Sequence, residues 1–141
     1  MSGLKNKRYI CHCCGYPTLD EKASYDICIL CNWEDDGQDD LDADLINGGP
    51  NGNYSLTEAR ENFRKYLIMY SPDGEMRITG GDTKEEVEVK KLLVNVYEVI
   101  FKEKNSIKLD KLCTLVYELE DRLRKITSNK IKGYENNLKR K

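Results

Sequence analysis

The chain has 141 residues, 34% of them charged, with a net charge of −2, six cysteines and a single histidine. That length allows one ordinary domain or two small ones needing a staple, and a lone histidine excludes both a multi-histidine metal site and a histidine-based catalytic triad. The small net charge hides an asymmetry: residues 1–82 carry 8 basic and 15 acidic groups, residues 83–141 carry 15 and 10, so any binding to nucleic acid falls on the tail.

The opening MSGLKNKRYI lacks the apolar core of a secretory signal, and no apolar run approaches bilayer length. A cytoplasmic protein is expected, without membrane contact, whose cysteines serve as metal ligands and spare thiols and not as disulfides. Its first elements are short. Arg8, Tyr9 and Ile10 lead into the turn CHCCGYP, and Tyr25, Asp26 and Ile27 lead into a second turn, CILCNW. Aromatic and β-branched residues beside turns favour paired strands, so two small hairpins should face each other. Gly15 follows Cys14 where such a turn needs a positive φ or close approach of backbone to sulfur.

Cys11 and Cys14, like Cys28 and Cys31, have two residues between them, and thirteen residues separate the two pairs. Four thiolates on two tight turns make a tetrahedral site that suits zinc, with iron in a rubredoxin-type centre as the alternative. Cys13 is a further candidate ligand, with a small packed thiol as its plainer role. His12 adjoins Cys11 too closely to share one tetrahedron and should face solvent. Trp33 is expected to cover the sulfurs rather than to serve as a recognition aromatic. Four sulfurs leave zinc no open position for an activated water, and the chain has no phosphate loop, so a structural metal and no enzymatic activity are expected.

Residues 34–44 read EDDGQDDLDAD, followed by LINGGPNGNY. This is a loop. Its order does not match a calcium-binding hand. The carboxylates of Glu34, Asp35, Asp36, Asp39, Asp40, Asp42 and Asp44 form a candidate partner-binding face for a basic protein.

Ser55-Leu56-Thr57-Glu58 is a capping box. A helix should follow, with Leu56, Ala59, Phe63, Tyr66, Leu67 and Tyr70 on one face, stopped by Ser71-Pro72-Asp73-Gly74. A second capping box, Thr83 to Glu86, opens a helix through Phe101 with Val89, Leu92, Leu93, Val96, Val99 and Ile100 as its apolar positions. KEKNS breaks the pattern. A third helix from near Asp110 carries Leu112, Leu115, Val116, Leu119, Leu123 and Ile126 close to a heptad seam, with Cys113 as a core thiol; the two should form an antiparallel hairpin. Beyond Ser128 the basic, weakly periodic stretch is expected to fray.

The segment CHCCGYPTLDEKASYDICILCNWEDDGQDD, continuing to SLTEARENFRKY, resembles the cysteine-rich CPCC family of small, mostly bacterial proteins over about residues 9–70. His12 stands where that family has proline, and Ile29 where its second turn often does. The resemblance implies a zinc-ribbon-like or rubredoxin-like metal module. It extends to nothing in residues 83–141.

The expectation is therefore an α+β protein in two parts. Residues 1–78 form a small zinc-ribbon-like β-hairpin module with acidic loop and following helix, and residues 79–141 a helical hairpin with a basic tail. The expected role is protein–protein binding, as an immunity or antitoxin-type inhibitor of a basic toxin; charge, size and the family's association with bacterial toxin loci motivate that partner. The alternatives are a rubredoxin-like redox module and a nucleic-acid-binding protein using residues 130–141. Oligomeric state is left open.

Overall fold

A computed structural model describes residues 8–140; the readings that fall on residues 1–7 and on Lys141 lie outside the described residues. Two short antiparallel strands, β1 (Tyr9–Ile10) and β2 (Pro17–Leu19), come first. Three helices follow: α1 (Leu56–Tyr66), α2 (Lys84–Lys102) and α3 (Ser106–Lys139). This is the expected α+β architecture. Five residues of strand cannot sustain a hairpin in water, so the β module must be held from outside. The second expected hairpin is reduced to a single bridge, Ile27 with Glu34, extended by hydrogen bonds from Asp35 N to Asp26 O (2.9 Å) and Tyr25 N to Asp35 O (3.0 Å).

α1 starts as expected. Ser55 Oγ accepts from Glu58 N (3.0 Å) and Glu58 Oε1 accepts from Ser55 N (3.1 Å), satisfying two N–H groups that the first turn would otherwise leave open. Its end departs from expectation: the helix stops at Tyr66, and Leu67 takes a left-handed conformation at φ 60°. Tertiary contacts hold that turn. Met69 N donates to Cys31 O (2.8 Å) and Asn62 Nδ2 donates to Met69 O (2.8 Å), so Ile68 and Met69 enter the core and neither Leu67 nor Tyr70 continues the helix.

α2 and α3 form an antiparallel hairpin whose seam combines Val89, Leu93, Tyr97 and Ile100 with Leu109, Cys113, Val116, Leu119 and Leu123. Leu92, Val99 and Leu115, expected on the apolar faces, are exposed. α3 is longer than expected at both ends. It starts at Ser106, where Asn105 Oδ1 accepts from Lys108 N (3.0 Å), and it does not fray after Ser128. The extension is tied down from α2, since Lys130 Nζ donates to Glu86 Oε1 (2.7 Å) and Thr127 Oγ1 donates to Glu86 Oε2 (2.8 Å). Among the described residues, no helix is long and apolar enough to cross a membrane.

Glu86 thus has two roles, closing the α2 capping box and anchoring α3. Burial pushes its carboxyl up, but hydrogen bonds from Lys130, the Thr83 N–H and Thr127 outweigh this and carry its pKa from 4.5 down to about 2. A depressed carboxylate pKa adds stability that is complete above the unfolded value and is lost as pH falls toward the folded one. Glu86→Gln is therefore expected to cost about 3 kcal/mol at neutral pH, shrinking between about pH 4.5 and pH 2. Urea unfolding of both proteins across that range measures it; a cost independent of pH would contradict it.

The cysteine module packs on the hairpin through an aromatic cluster and a buried ion pair, with Tyr16 OH also donating to Glu98 Oε1 (2.8 Å) and Lys90 Nζ to Leu67 O (3.1 Å). Tyr16, between the cysteine turn and β2, lies parallel to Tyr97 (centroids 5.3 Å apart) and Phe101 (6.0 Å) and edge-on to Phe63 (6.3 Å). Arg8 forms a two-pronged pair with Glu120 of α3 at 2.8 and 2.9 Å, and Tyr97 OH donates to the same carboxylate at 2.5 Å. The carboxylate of Glu120 is 0% exposed. Burial and that neighbouring charge hold the Tyr97 hydroxyl well above its ordinary pKa, so it remains a donor.

Candidate metal centre

The two cysteine turns are built alike. In the first, Cys11 N donates to Tyr16 O (2.9 Å) and Gly15 N to Cys11 O (2.8 Å); in the second, Cys28 N donates to Trp33 O (2.9 Å) and Asn32 N to Cys28 O (2.9 Å). In each, the residue after the second cysteine has positive φ, 81° at Gly15 and 71° at Asn32. Glycine takes that conformation freely and asparagine better than most other residues. Asn32 is held there by Nδ2 donating to Tyr70 OH (2.9 Å). The tyrosine expected on the face of α1 thus buttresses the second turn instead.

These turns bring the sulfurs of Cys11, Cys14, Cys28 and Cys31 within 4.8 Å of one another. Cys11 and Cys31 Sγ are 3.6 Å apart, and Cys14 and Cys28 Sγ 3.7 Å. Four sulfurs about 2.3 Å from a central ion define a tetrahedron with edges of about 3.8 Å, so the spacing fits a bound metal. It is far from the roughly 2.05 Å of a disulfide, and all six cysteines are free. The four cysteines are positioned to bind a metal ion.

Polar groups lie against two of the sulfurs. Cys31 N points to Cys28 Sγ (3.5 Å), Trp33 N to Cys31 Sγ (3.4 Å), and Thr18 Oγ1 lies 2.9 Å from Cys28 Sγ. Burial pushes the Cys14 and Cys31 thiols well up. At Cys28 burial acts the same way, but hydrogen bonds from Cys11, Cys14 and Cys31 overcome it and bring that thiol well below its ordinary range. Four buried sulfurs this close cannot all ionise without a cation among them, and a dication would stabilise all four as thiolates. Thr18 is a polar neighbour that the cysteine spacing does not reveal.

Cys13 is buried but lies outside the four-sulfur group, His12 is exposed with its carbonyl accepting from Arg60 Nε (2.8 Å), and Trp33 is fully buried, as an interior cover would be. The acidic loop uses many of its carboxylates internally. Asp35 is 3% exposed and accepts from Ala23 N (2.7 Å), so it has no face to offer a partner. Asp36 accepts from Gln38 N (3.0 Å), Asp39 from Leu41 N (2.9 Å) and Asp42 from Asp39 N (2.9 Å). Asp44 accepts from Thr57 Oγ1 (2.5 Å) and Asp40 pairs with Arg60 (2.7 Å). The Glu34 backbone is bracketed by Asn51, whose side chain bonds both its N–H (3.0 Å) and its carbonyl (2.8 Å).

Residues 9–76 match the model of a family described as Cysteine-rich CPCC. The match covers both turns, the acidic loop and α1, and leaves α2 and α3 outside it. No curated protein and no solved structure matches the chain.

Proposed function

We propose that the protein is a non-enzymatic, zinc-stapled binding protein whose loop around residues 34–46 docks on a basic protein partner. The observation that carries this reading is the exposure of Leu41 (97%), Leu45 (61%) and Ile46 (56%) in a segment dense in aspartate. Aliphatic side chains held out in water beside carboxylates have the composition of an interface: the apolar groups supply affinity, and the charges steer a basic surface into register. The loop's own Asp–backbone bonds preform it, which lowers the ordering cost of docking. Catalysis is disfavoured because a four-sulfur shell leaves zinc no place for a reacting water.

A basic toxin is the partner that charge and size suggest, with this chain as its immunity-type inhibitor. Co-expression with the product of the adjacent gene tests this. A stable complex that restores growth is expected, weakened at least tenfold by Leu41→Lys with Leu45→Lys; absence of both complex and rescue removes the reading. Metal analysis addresses the centre separately. A colourless protein with one equivalent of zinc supports it, whereas visible absorbance from iron would favour the redox alternative.

A further inference from the structure

A cleft of about 430 Å³ lies between the second cysteine turn and the distal half of α3, and no residue of 34–46 lines it. That volume falls within the roughly 300–1,000 Å³ of small-molecule sites. Ile27 and Ile29, on either side of the metal-site residue Cys28, meet Ile131 of α3 in its lining, giving it apolar walls. Arg77, Arg124 and Lys132 add cations.

The charges in the cleft do not cancel. Asp82, whose side chain is almost fully buried, faces two cations, Arg77 at 2.9 Å and Lys90. Glu86 is matched by Lys130. The carboxylate nearest Arg124 is Glu120 at 3.9 Å, and both oxygens of Glu120 are already bonded by Arg8. Lys132 pairs with no carboxylate among the described residues; Glu135, on the same stretch of helix, is the lining carboxylate that remains uncommitted. Positive charge is therefore in surplus beside an apolar wall, in a protein whose net charge is −2.

We propose that this cleft binds a small amphipathic organic anion, an aliphatic or aromatic carboxylate or sulfonate, with its body against Ile27, Ile29 and Ile131 and its anionic head at Arg124 and Lys132. The site is composite. The segment that matches the cysteine-rich family supplies one wall, α3 supplies the facing one, and α2 with the residues before it contributes Arg77, Asp82, Glu86 and Lys90. The extension of α3 beyond Ser128 thereby gains a purpose that its polar sequence does not suggest.

The test titrates anilinonaphthalene sulfonate into the full, metal-loaded chain and follows its fluorescence. Saturable binding at one site is expected, displaced by octanoate. Lys132→Glu and Ile131→Asp should each weaken it about tenfold or more, with metal content and helical circular dichroism unchanged, whereas Leu41→Ser on the acidic loop should leave it as it was. Both α3 positions are exposed, and should Ile131→Asp fail to fold, Lys132→Glu decides. The proposal is overturned by absent or non-saturable binding, by octanoate failing to compete, or by affinity that follows Leu41 and ignores Lys132.

Discussion

Protein carrying Cys28→Ser is expected to bind less than a tenth of the metal held by the wild type and to lose the ordered structure of its β module. Cys28 has many contacts to lose. Its sulfur lies 3.7 Å from Cys14 Sγ and 2.9 Å from Thr18 Oγ1, and takes the Cys31 N–H at 3.5 Å. A serine oxygen is a poor substitute for a thiolate in a soft tetrahedral shell. The free energy of metal binding at such sites is on the order of 10 kcal/mol, and in the absence of a preformed unfolded-state site it becomes folding free energy. Two strands of two and three residues have nothing comparable of their own. Cys13→Ser is the matched control: it changes a buried thiol in the same turn but outside the four-sulfur group, and it should keep one equivalent of metal at a cost of about 1 kcal/mol. Metal analysis by mass spectrometry and urea unfolding read both. Full metal content in Cys28→Ser, or loss of metal in Cys13→Ser, would show that the ligand set is wrong.

Glu120→Ala should destabilise the protein by about 3–5 kcal/mol while leaving its metal content intact. One carboxylate with no exposure receives both prongs of Arg8 and the hydroxyl of Tyr97. Removing it strands a largely buried guanidinium and a buried hydroxyl, and that penalty exceeds the net worth of the pair in the intact protein. Replacing both members of the ion pair, Arg8→Met with Glu120→Leu, should recover much of the loss, because no unpaired charge then remains. Urea unfolding of the single and double variants measures this. A loss under 1 kcal/mol for Glu120→Ala would mean that the pair behaves like an exposed one.

Features that depend on a few adjacent residues were legible in advance. The clustering of Cys11, Cys14, Cys28 and Cys31 follows from the spacing of two Cys-x-x-Cys turns, since a two-residue gap lets both sulfurs of a turn face one point. The starts of α1 and α2 follow from Ser55 with Glu58 and Thr83 with Glu86, because each cap is completed within one turn. Asn105 caps α3 without a local signature, because Lys108 stands where a reciprocating glutamate would mark a capping box. The construction of 34–44 is not visible in its charges, because a formal charge does not reveal whether a carboxylate faces water or, like Asp35, an N–H twelve residues away.

What the sequence by itself determined, then, was which four cysteines cluster and where two of the helices begin, since both arise from groups close along the chain. Only the tertiary structure decided where α1 ends, how far α3 runs, and how the metal module sits on the hairpin. Leu67 turns left-handed because Met69 is held by Cys31 and Asn62; α3 persists because Lys130 reaches Glu86; Arg8 finds Glu120 across 112 residues. Each of these contacts repays the entropy of closing a long loop only once the core has formed, so no local pattern could announce it.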